Sequence, residues 1–180
     1  MPFTNLLFIL RPAGQLACVL TVLLLASCQQ QDKTKEAQIE RAGEPTIYNV
    51  KSDDPEMDAA IQASKATLPE FLRVFARQDT ATSDFALKVH YDDGGTPEHL
   101  WLASLSTQNG KLYGVVSNLP EFTKAVKEGE TVEVDTSKVS DWKYVQNHRL
   151  VGGRTIKVLR NHLSPDERKE LDASVDYKID

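Results

Sequence analysis

Four consecutive residues, Glu98-His99-Leu100-Trp101, combine side chains that are capable of acid–base chemistry with an aromatic ring. In a β-strand, Glu98 and Leu100 would point to one face while His99 and Trp101 would point to the other. His99 is then a candidate general base, or a partner of Trp101 in stacking against a ligand. Aromatic side chains, however, dominate protein cores, and tryptophan seeks a partner for its N–H. We therefore favour a core Trp101 with His99 anchoring a neighbouring backbone group.

A second candidate is Asp141, which lies in the tripeptide Ser140-Asp141-Trp142. A carboxylate that precedes a strand commonly accepts hydrogen bonds from backbone N–H groups two residues further on, and we favour this structural role. The alternative is a hydrolase-type enzyme in which Asp141 meets His99 and Glu98 in space. No G-x-S-x-G nucleophile motif accompanies these residues.

Metal and cofactor sites have little support in the sequence. The four histidines, His90, His99, His148 and His162, lack the H-x-x-x-H and H-E-x-x-H spacings that place two ligands on one helical face. The acidic stretch DDGGTPE lacks the spacing of an EF-hand loop. Neither a G-x-G-x-x-G motif nor a P-loop is present. We therefore expect no metal and no cofactor.

The N-terminal leader ends in Leu25-Ala26-Ser27-Cys28, after an apolar run that begins at Leu16. A run of about ten apolar residues is typical of a signal peptide and too short for a transmembrane helix. The four residues resemble the lipobox of bacterial lipoproteins, in which the cysteine thiol takes up the diacylglyceryl group. The resemblance implies acylation, by palmitate or a similar chain, at Cys28. A secreted protein with an incidental cysteine is the alternative.

These features predict three parts of the chain: a signal peptide over 1–27, a lipidated cysteine and flexible tether over 28–46, and a single domain over 47–180 that we expect to be monomeric. Cys18 would leave with the leader, so the mature chain would contain no free thiol. A net charge of −5 without basic clusters argues against nucleic-acid binding. Gln29 follows the cysteine, where the enteric sorting rule requires Asp for inner-membrane retention. We therefore expect a periplasm-facing outer-membrane location if the source is Gram-negative.

The elements that would position the candidate residues begin with a helix. Asp54 is a predicted cap, Pro55 fits the first helical position, and Pro69 is predicted to start a second helical segment. After Thr80 the hydrophobic period becomes two, which indicates strands. The sequence Asn109-Gly110 predicts a tight hairpin turn.

Further along the chain, a short helix is predicted over 121–127 and strands are predicted at TVEVD, DWKYV and RTIKVL. Ser164, Pro165 and Glu167 form a predicted capping box at the start of a C-terminal helix. Helices followed by a meander of strands predict an α+β fold. We expect one or more N-terminal helical segments packed on a curved, mainly antiparallel sheet of about six strands, with a short C-terminal helix.

Several of these segments occur together in one family. The stretches DPEMDAAIQASKATLPEFL, SDFALKV, EHLWL, G-x-x-SNLP, VKEGETVEV and VSDWKYV…LVGGRTIKVL resemble the YegJ-like family, catalogued as domain of unknown function 2314. The resemblance extends from about Asp54 to Leu159 and leaves Arg160–Asp180 outside. It implies a small bacterial domain and offers no catalytic residues. The sequence thus favours a non-catalytic envelope lipoprotein that binds a protein or an envelope ligand.

Overall fold

The computed structural model describes residues 54–180. Before them, it describes the backbone of two short strands that pair with each other, β1 (Gln38–Ile39) and β2 (Ile47–Tyr48). The predicted signal peptide, Cys28 and most of the predicted tether therefore lie outside the described residues, although β1 falls within the tether range.

Helix α1 (Pro55–Arg77) begins as predicted, because the Asp54 carboxylate accepts the N–H groups of Glu56 and Met57 and Pro55 follows the cap. The prediction of a second segment at Pro69 is wrong, since the helix continues through this residue. Its buried side chains lie four, four and three residues apart, which keeps them on one face. They are Ala60, Ser64, Leu68 and Phe71. Packing of this continuous stripe offsets the backbone hydrogen bond that the proline cannot make.

The sheet has six antiparallel strands in the order β6-β5-β4-β3-β7-β8, which confirms the predicted α+β fold. The strands are β3 (Thr82–Tyr91), β4 (Glu98–Gln108), β5 (Lys111–Val116), β6 (Thr131–Glu133), β7 (Val139–Gln146) and β8 (Arg149–Gly152). A 3-10 helix, Thr136–Lys138, precedes β7. The predicted turn at Asn109-Gly110 is confirmed, and both residues have positive φ angles, of 51° and 75°.

One face of the sheet carries the core. Leu87 and Val89 of β3 alternate with polar residues and pack beneath Phe71 of α1, together with Leu100 and Trp142. Lys88, between the two β3 residues, therefore lies on the opposite face, which we call the outer face. Among the described residues, no helix combines the length and the hydrophobicity that are needed to cross a bilayer.

Two further sequence predictions are wrong. The RTIKVL segment forms the first part of helix α2 (Arg154–His162) rather than a strand. Residues 121–127 form no helix but an irregular stretch of the loop between β5 and β6. The C-terminal helix α3 (Pro165–Ala173) has the predicted capping box, in which the Ser164 side chain and Glu167 exchange hydrogen bonds with each other's backbone.

Candidate functional site

The Asp141 side chain is completely buried and joins three elements. Its Oδ1 accepts the Ser64 hydroxyl of α1 at 2.7 Å and the N–H groups of Trp142 and Arg154 at 2.8 and 3.3 Å. Its Oδ2 accepts both the N–H and the hydroxyl of Thr155, at 2.8 and 2.7 Å. Five donors converge on one carboxylate, which leaves little capacity for a substrate.

The same contacts explain how α2 begins. Its N-cap residue is Gly153, which has no side chain that could bond the free N–H groups of the first turn. The Asp141 carboxylate supplies that acceptor from β7, and its negative charge is favourable at a helix N-terminus. Asp141 is therefore structural, as the sequence favoured, but its main partner is a helix thirteen residues away and not its own turn.

His99 does not contact Asp141. Its Nδ1 lies 2.7 Å from the Oγ of Ser140, a residue that is 1 % exposed. The Ser140 hydroxyl also donates to the backbone carbonyl of Lys88 at 3.2 Å, so His99 Nδ1–H is the donor in the first bond. In this arrangement the imidazole does not remove the serine proton.

The environment of His99 disfavours the charged imidazolium, although part of the residue is exposed. Burial and the positive charge of Lys88 lower the pKa of His99 to about 4. On the adjacent strand, His90 stacks on this ring, with centroids 4.7 Å apart and planes 8° apart. The Nε2 atom of His90 is buried and has no hydrogen-bond partner among the described residues. With a pKa lowered in this way, the imidazole of His99 is a weak base near pH 7.

Glu98 has a different role. Its carboxylate accepts the backbone N–H groups of Glu121, Phe122 and Thr123, all at 3.0 to 3.2 Å. Asp93 accepts the next N–H, that of Lys124, at 2.8 Å, together with the Thr123 hydroxyl at 3.1 Å. The hydrogen bond from Lys124, followed by that from Thr123, lowers the pKa of Asp93.

These bonds explain why residues 121–127 are not helical, since carboxylates from outside take up successive N–H groups of the segment. The segment belongs to a loop over 117–130, between β5 and β6, which exposes Leu119 and Phe122 by 42 % and 39 %. Glu98 therefore shapes a surface loop.

The candidate trio is thus divided among three local networks. Glu98 holds the 117–130 loop, His99 contacts Ser140, and Asp141 joins α1 to α2. Sequence reasoning missed Ser64 and Thr155 as partners of Asp141, and no local signal marks contacts over 77 and 14 residues.

The two tryptophans differ in their environments. Trp142 is 4 % exposed and donates its indole N–H to the backbone carbonyl of Ser64 at 3.0 Å, as expected for a core tryptophan. Trp101 is only half-buried on the outer face and is not part of the core, so the expectation of a core Trp101 is wrong. Within residues 54–180, no group of three or more His, Cys, Asp or Glu side chains could hold a metal ion.

The chain has measurable similarity to known bacterial proteins. Residues 54–178 match the family model described as "Uncharacterized protein conserved in bacteria (DUF2314)". The match includes nearly all of the C-terminal segment that the resemblance left outside, so that boundary was wrong.

Two curated proteins are similar in sequence. Uncharacterized protein YegJ of Escherichia coli K12 is 32 % identical over 123 residues, which cover 68 % of this chain and 79 % of that protein. A putative ankyrin repeat protein of Neisseria meningitidis serogroup B is 32 % identical over 140 residues, which cover 73 % of this chain and 55 % of that protein. No solved structure matches the chain significantly.

Proposed function

We propose that this chain, which belongs to the bacterial family DUF2314, is a non-catalytic binding module of the cell envelope. The observation that carries this proposal is the complete use of the Asp141 carboxylate by five donors of the protein itself. Glu98 is likewise occupied by the backbone of the 117–130 loop. Because both carboxylates already accept hydrogen bonds from the protein itself, they are not available for proton transfer to a substrate.

A hydrolase remains the second candidate because His99 and Ser140 are 2.7 Å apart, a distance typical of a base and its nucleophile. Two features count against it. Ser140 is 1 % exposed, so a substrate carbonyl has no path to its hydroxyl. In addition, the lowered pKa of His99, about 4, leaves the imidazole a poor proton acceptor.

A fluorophosphonate probe, which labels activated serines, separates the two candidates. We expect no labelling of the full-length protein in non-ionic detergent. Labelling that disappears in Ser140→Ala but persists in Ser104→Ala, a control at an exposed serine of β4, would favour the hydrolase. The control is required because a reactive probe can modify exposed hydroxyls nonspecifically.

The proposal includes a lipid anchor at Cys28, supported by the leader and by the residues Leu25-Ala26-Ser27 before it. Two or more acyl chains provide stable membrane attachment, whereas one provides only marginal attachment. Cys28→Ser is expected to abolish labelling by a radioactive fatty acid, whereas Cys18→Ser, which removes the other cysteine of the chain, should retain it. Labelling of Cys28→Ser at the wild-type level would rule out this anchor.

The outer-membrane location is proposed for a Gram-negative source and depends on Gln29. Gln29→Asp should move the protein to the inner-membrane fraction, and Gln29→Asn should leave it in the outer-membrane fraction. Wild-type protein that fractionates with the inner membrane would contradict the proposal.

A further inference from the structure

We propose that the outer face of the sheet binds a small organic anion through Lys88, Lys143 and Trp101, with Tyr177 at the border of the site. The ligand would carry a carboxylate or phosphate group on a planar apolar body. This inference rests on the proposed binding function and specifies the class of ligand.

Strand pairing brings these side chains to one face. Lys88 on β3 lies directly opposite Trp101 on β4, and Lys143 on β7 lies opposite Ala86, two residues before Lys88. Residues two apart in a strand share a face, so all three side chains project away from the core. Tyr177, from the segment after α3, reaches the same region and contacts Lys143.

The two ammonium groups share a single aromatic ring. The Nζ atoms of Lys88 and Lys143 lie 5.7 and 6.0 Å from the centroid of the Trp101 ring. Lys143 Nζ also lies 5.3 Å from the centroid of Tyr177. Cation–π contacts at such distances orient the ammonium groups but supply no counterion. The positive charges are therefore concentrated beside half-buried aromatic rings.

Neither ammonium group has an ion-pair partner within the part of the chain that the structure describes. Lys88 donates only to the Thr155 hydroxyl, at 3.4 Å. By contrast, the exposed Lys111 pairs with Glu133 at 2.7 Å. Half-buried charges without a partner are costly, and an anion would provide the missing compensation.

The electrostatics of both lysines agree with this geometry. Burial lowers the pKa of Lys88 despite the opposing effect of Asp141, and burial lowers the pKa of Lys143 despite Asp84 and Asp176. Asp141 is already saturated by its own hydrogen bonds. The nearby carboxylates therefore offset the burial of the two ammonium groups only in part, and none of them forms an ion pair with either group.

A third cation, Arg154, is adjacent in sequence to Thr155, the residue that Lys88 contacts. Arg154, next to Thr155, has its guanidinium 5.1 Å from the Trp142 ring centroid. Its Nη1 atom is buried and has no hydrogen-bond partner among the described residues. Because Trp142 lies on the core face, Arg154 is outside the proposed site, and the preference for an anion rests on Lys88 and Lys143.

The aromatic rings suggest the rest of the ligand. Trp101 and Tyr177 are both half-buried, so each retains ring surface that a planar body can cover. Ligand sites typically combine such apolar surface with a few charged groups that fix orientation. A carboxylate or phosphate near Lys88 and Lys143 would leave the attached ring on Trp101.

The test is a calorimetric titration of the full-length protein in non-ionic detergent with phenyl phosphate, benzoate and inorganic phosphate. We expect saturable binding of phenyl phosphate or benzoate, weakened at least about tenfold by Lys88→Met or Lys143→Met, since each removes one of two charges. Lys169→Met, at an exposed lysine of α3, should bind like the wild type. The tighter of the two aromatic probes identifies the charged group.

The proposal would be overturned if neither aromatic probe binds the wild type, or if both methionine variants bind as well as Lys169→Met. Inorganic phosphate binding as tightly as phenyl phosphate would contradict the aromatic part of the ligand. The variants also report on folding, because removal of an unpaired, half-buried charge should leave the melting temperature unchanged or higher. A lower melting temperature with unchanged binding would assign the lysines to stability alone.

A failed titration leaves the proposed function intact, because a binding module can use another surface. The proposed function fails instead if the fluorophosphonate probe labels Ser140.

Discussion

The hydroxyl of Ser64 on α1 donates to the carboxylate of Asp141 on β7 at 2.7 Å, across 77 residues of the chain. Both residues are completely buried. Because the same carboxylate also holds the first N–H groups of α2, one side chain fixes both helices on the sheet. Asp141, which the sequence offered as an alternative catalytic residue, therefore has a structural role.

Asp141→Ala should therefore destabilise the protein, by about 3 kcal/mol, because buried donors of Ser64 and Thr155 lose their charged acceptor. Chemical denaturation monitored by circular dichroism measures the change. Asp176→Asn, at an exposed aspartate, is the matched control and should change stability by less than about 0.5 kcal/mol. Equal stability of the two variants would show that the Asp141 network contributes nothing.

Glu98→Gln should release the 117–130 loop while leaving the core intact. A neutral amide accepts hydrogen bonds more weakly than a carboxylate does, so the N–H groups of Glu121, Phe122 and Thr123 should exchange faster with deuterium. The exposed Glu128 provides the control variant, Glu128→Gln. Unchanged exchange at residues 121–123 in Glu98→Gln would contradict the role assigned to Glu98.

Alanine substitutions at Gly152 and at Gly94, when compared, separate the effect of a steric clash from the effect of backbone strain. Both have positive φ angles, 74° and 87°, but a Cβ at Gly152 would lie 2.3 Å from the Trp142 carbonyl oxygen, whereas one at Gly94 meets nothing within 4 Å. Gly94→Ala should cost about 1 to 2 kcal/mol from its φ angle alone. Gly152→Ala should cost about 1 to 3 kcal/mol more, as overpacking does. Similar melting temperatures for the two variants would disprove the close approach.

The neutral state of His99 predicts a pH dependence of stability. Its pKa is about 4 in the folded protein against 6.5 without the fold, so the unfolded chain binds more protons between these values. Stability from this residue should be present above pH 6.5 and lost as the pH falls towards 4. Because His99 is exposed, solvent screens the effect and we expect a modest change.

Melting temperatures of the wild type and His99→Gln between pH 7 and pH 4 test this expectation. The wild type should lose more stability than the variant over this range. His162→Gln, which removes an exposed histidine that lies near Asp54 and Glu56, is a control for general acid effects. If melting temperature falls with pH equally in the wild type and in His99→Gln, the fold does not lower the pKa of His99.

Local signals predicted the parts of the fold that depend on local chemistry. Asn109-Gly110 forms the hairpin turn and Ser164 forms the capping box, because both structures are made by neighbouring residues. Helix α2 was missed because Thr155, Ile156 and Val158 are β-branched residues that favour strands. Its N-terminus is stabilised by Asp141 from another element, a contact that no local pattern reveals.

For the candidate site, the sequence predicted the residues themselves but not the partners that they contact. Glu98, His99 and Asp141 were identified from the sequence, but most of their partners lie on other elements, at separations of 13 to 77 residues for Asp141 and of 41 for His99. The β7 bulge near Ser140 also changes the register of Lys88 and Val89 with their partners, which simple alternation does not foresee.

The central claim is that the domain binds and does not catalyse, and complementation of a deletion strain by His99→Ala tests it most directly. Melting temperature is measured beside the cellular phenotype, with Glu98→Ala and Asp141→Ala as companions. We predict that function falls only in proportion to lost stability, with Asp141→Ala the most affected and His99→Ala close to wild type. Loss of function in His99→Ala at an unchanged melting temperature would contradict the claim.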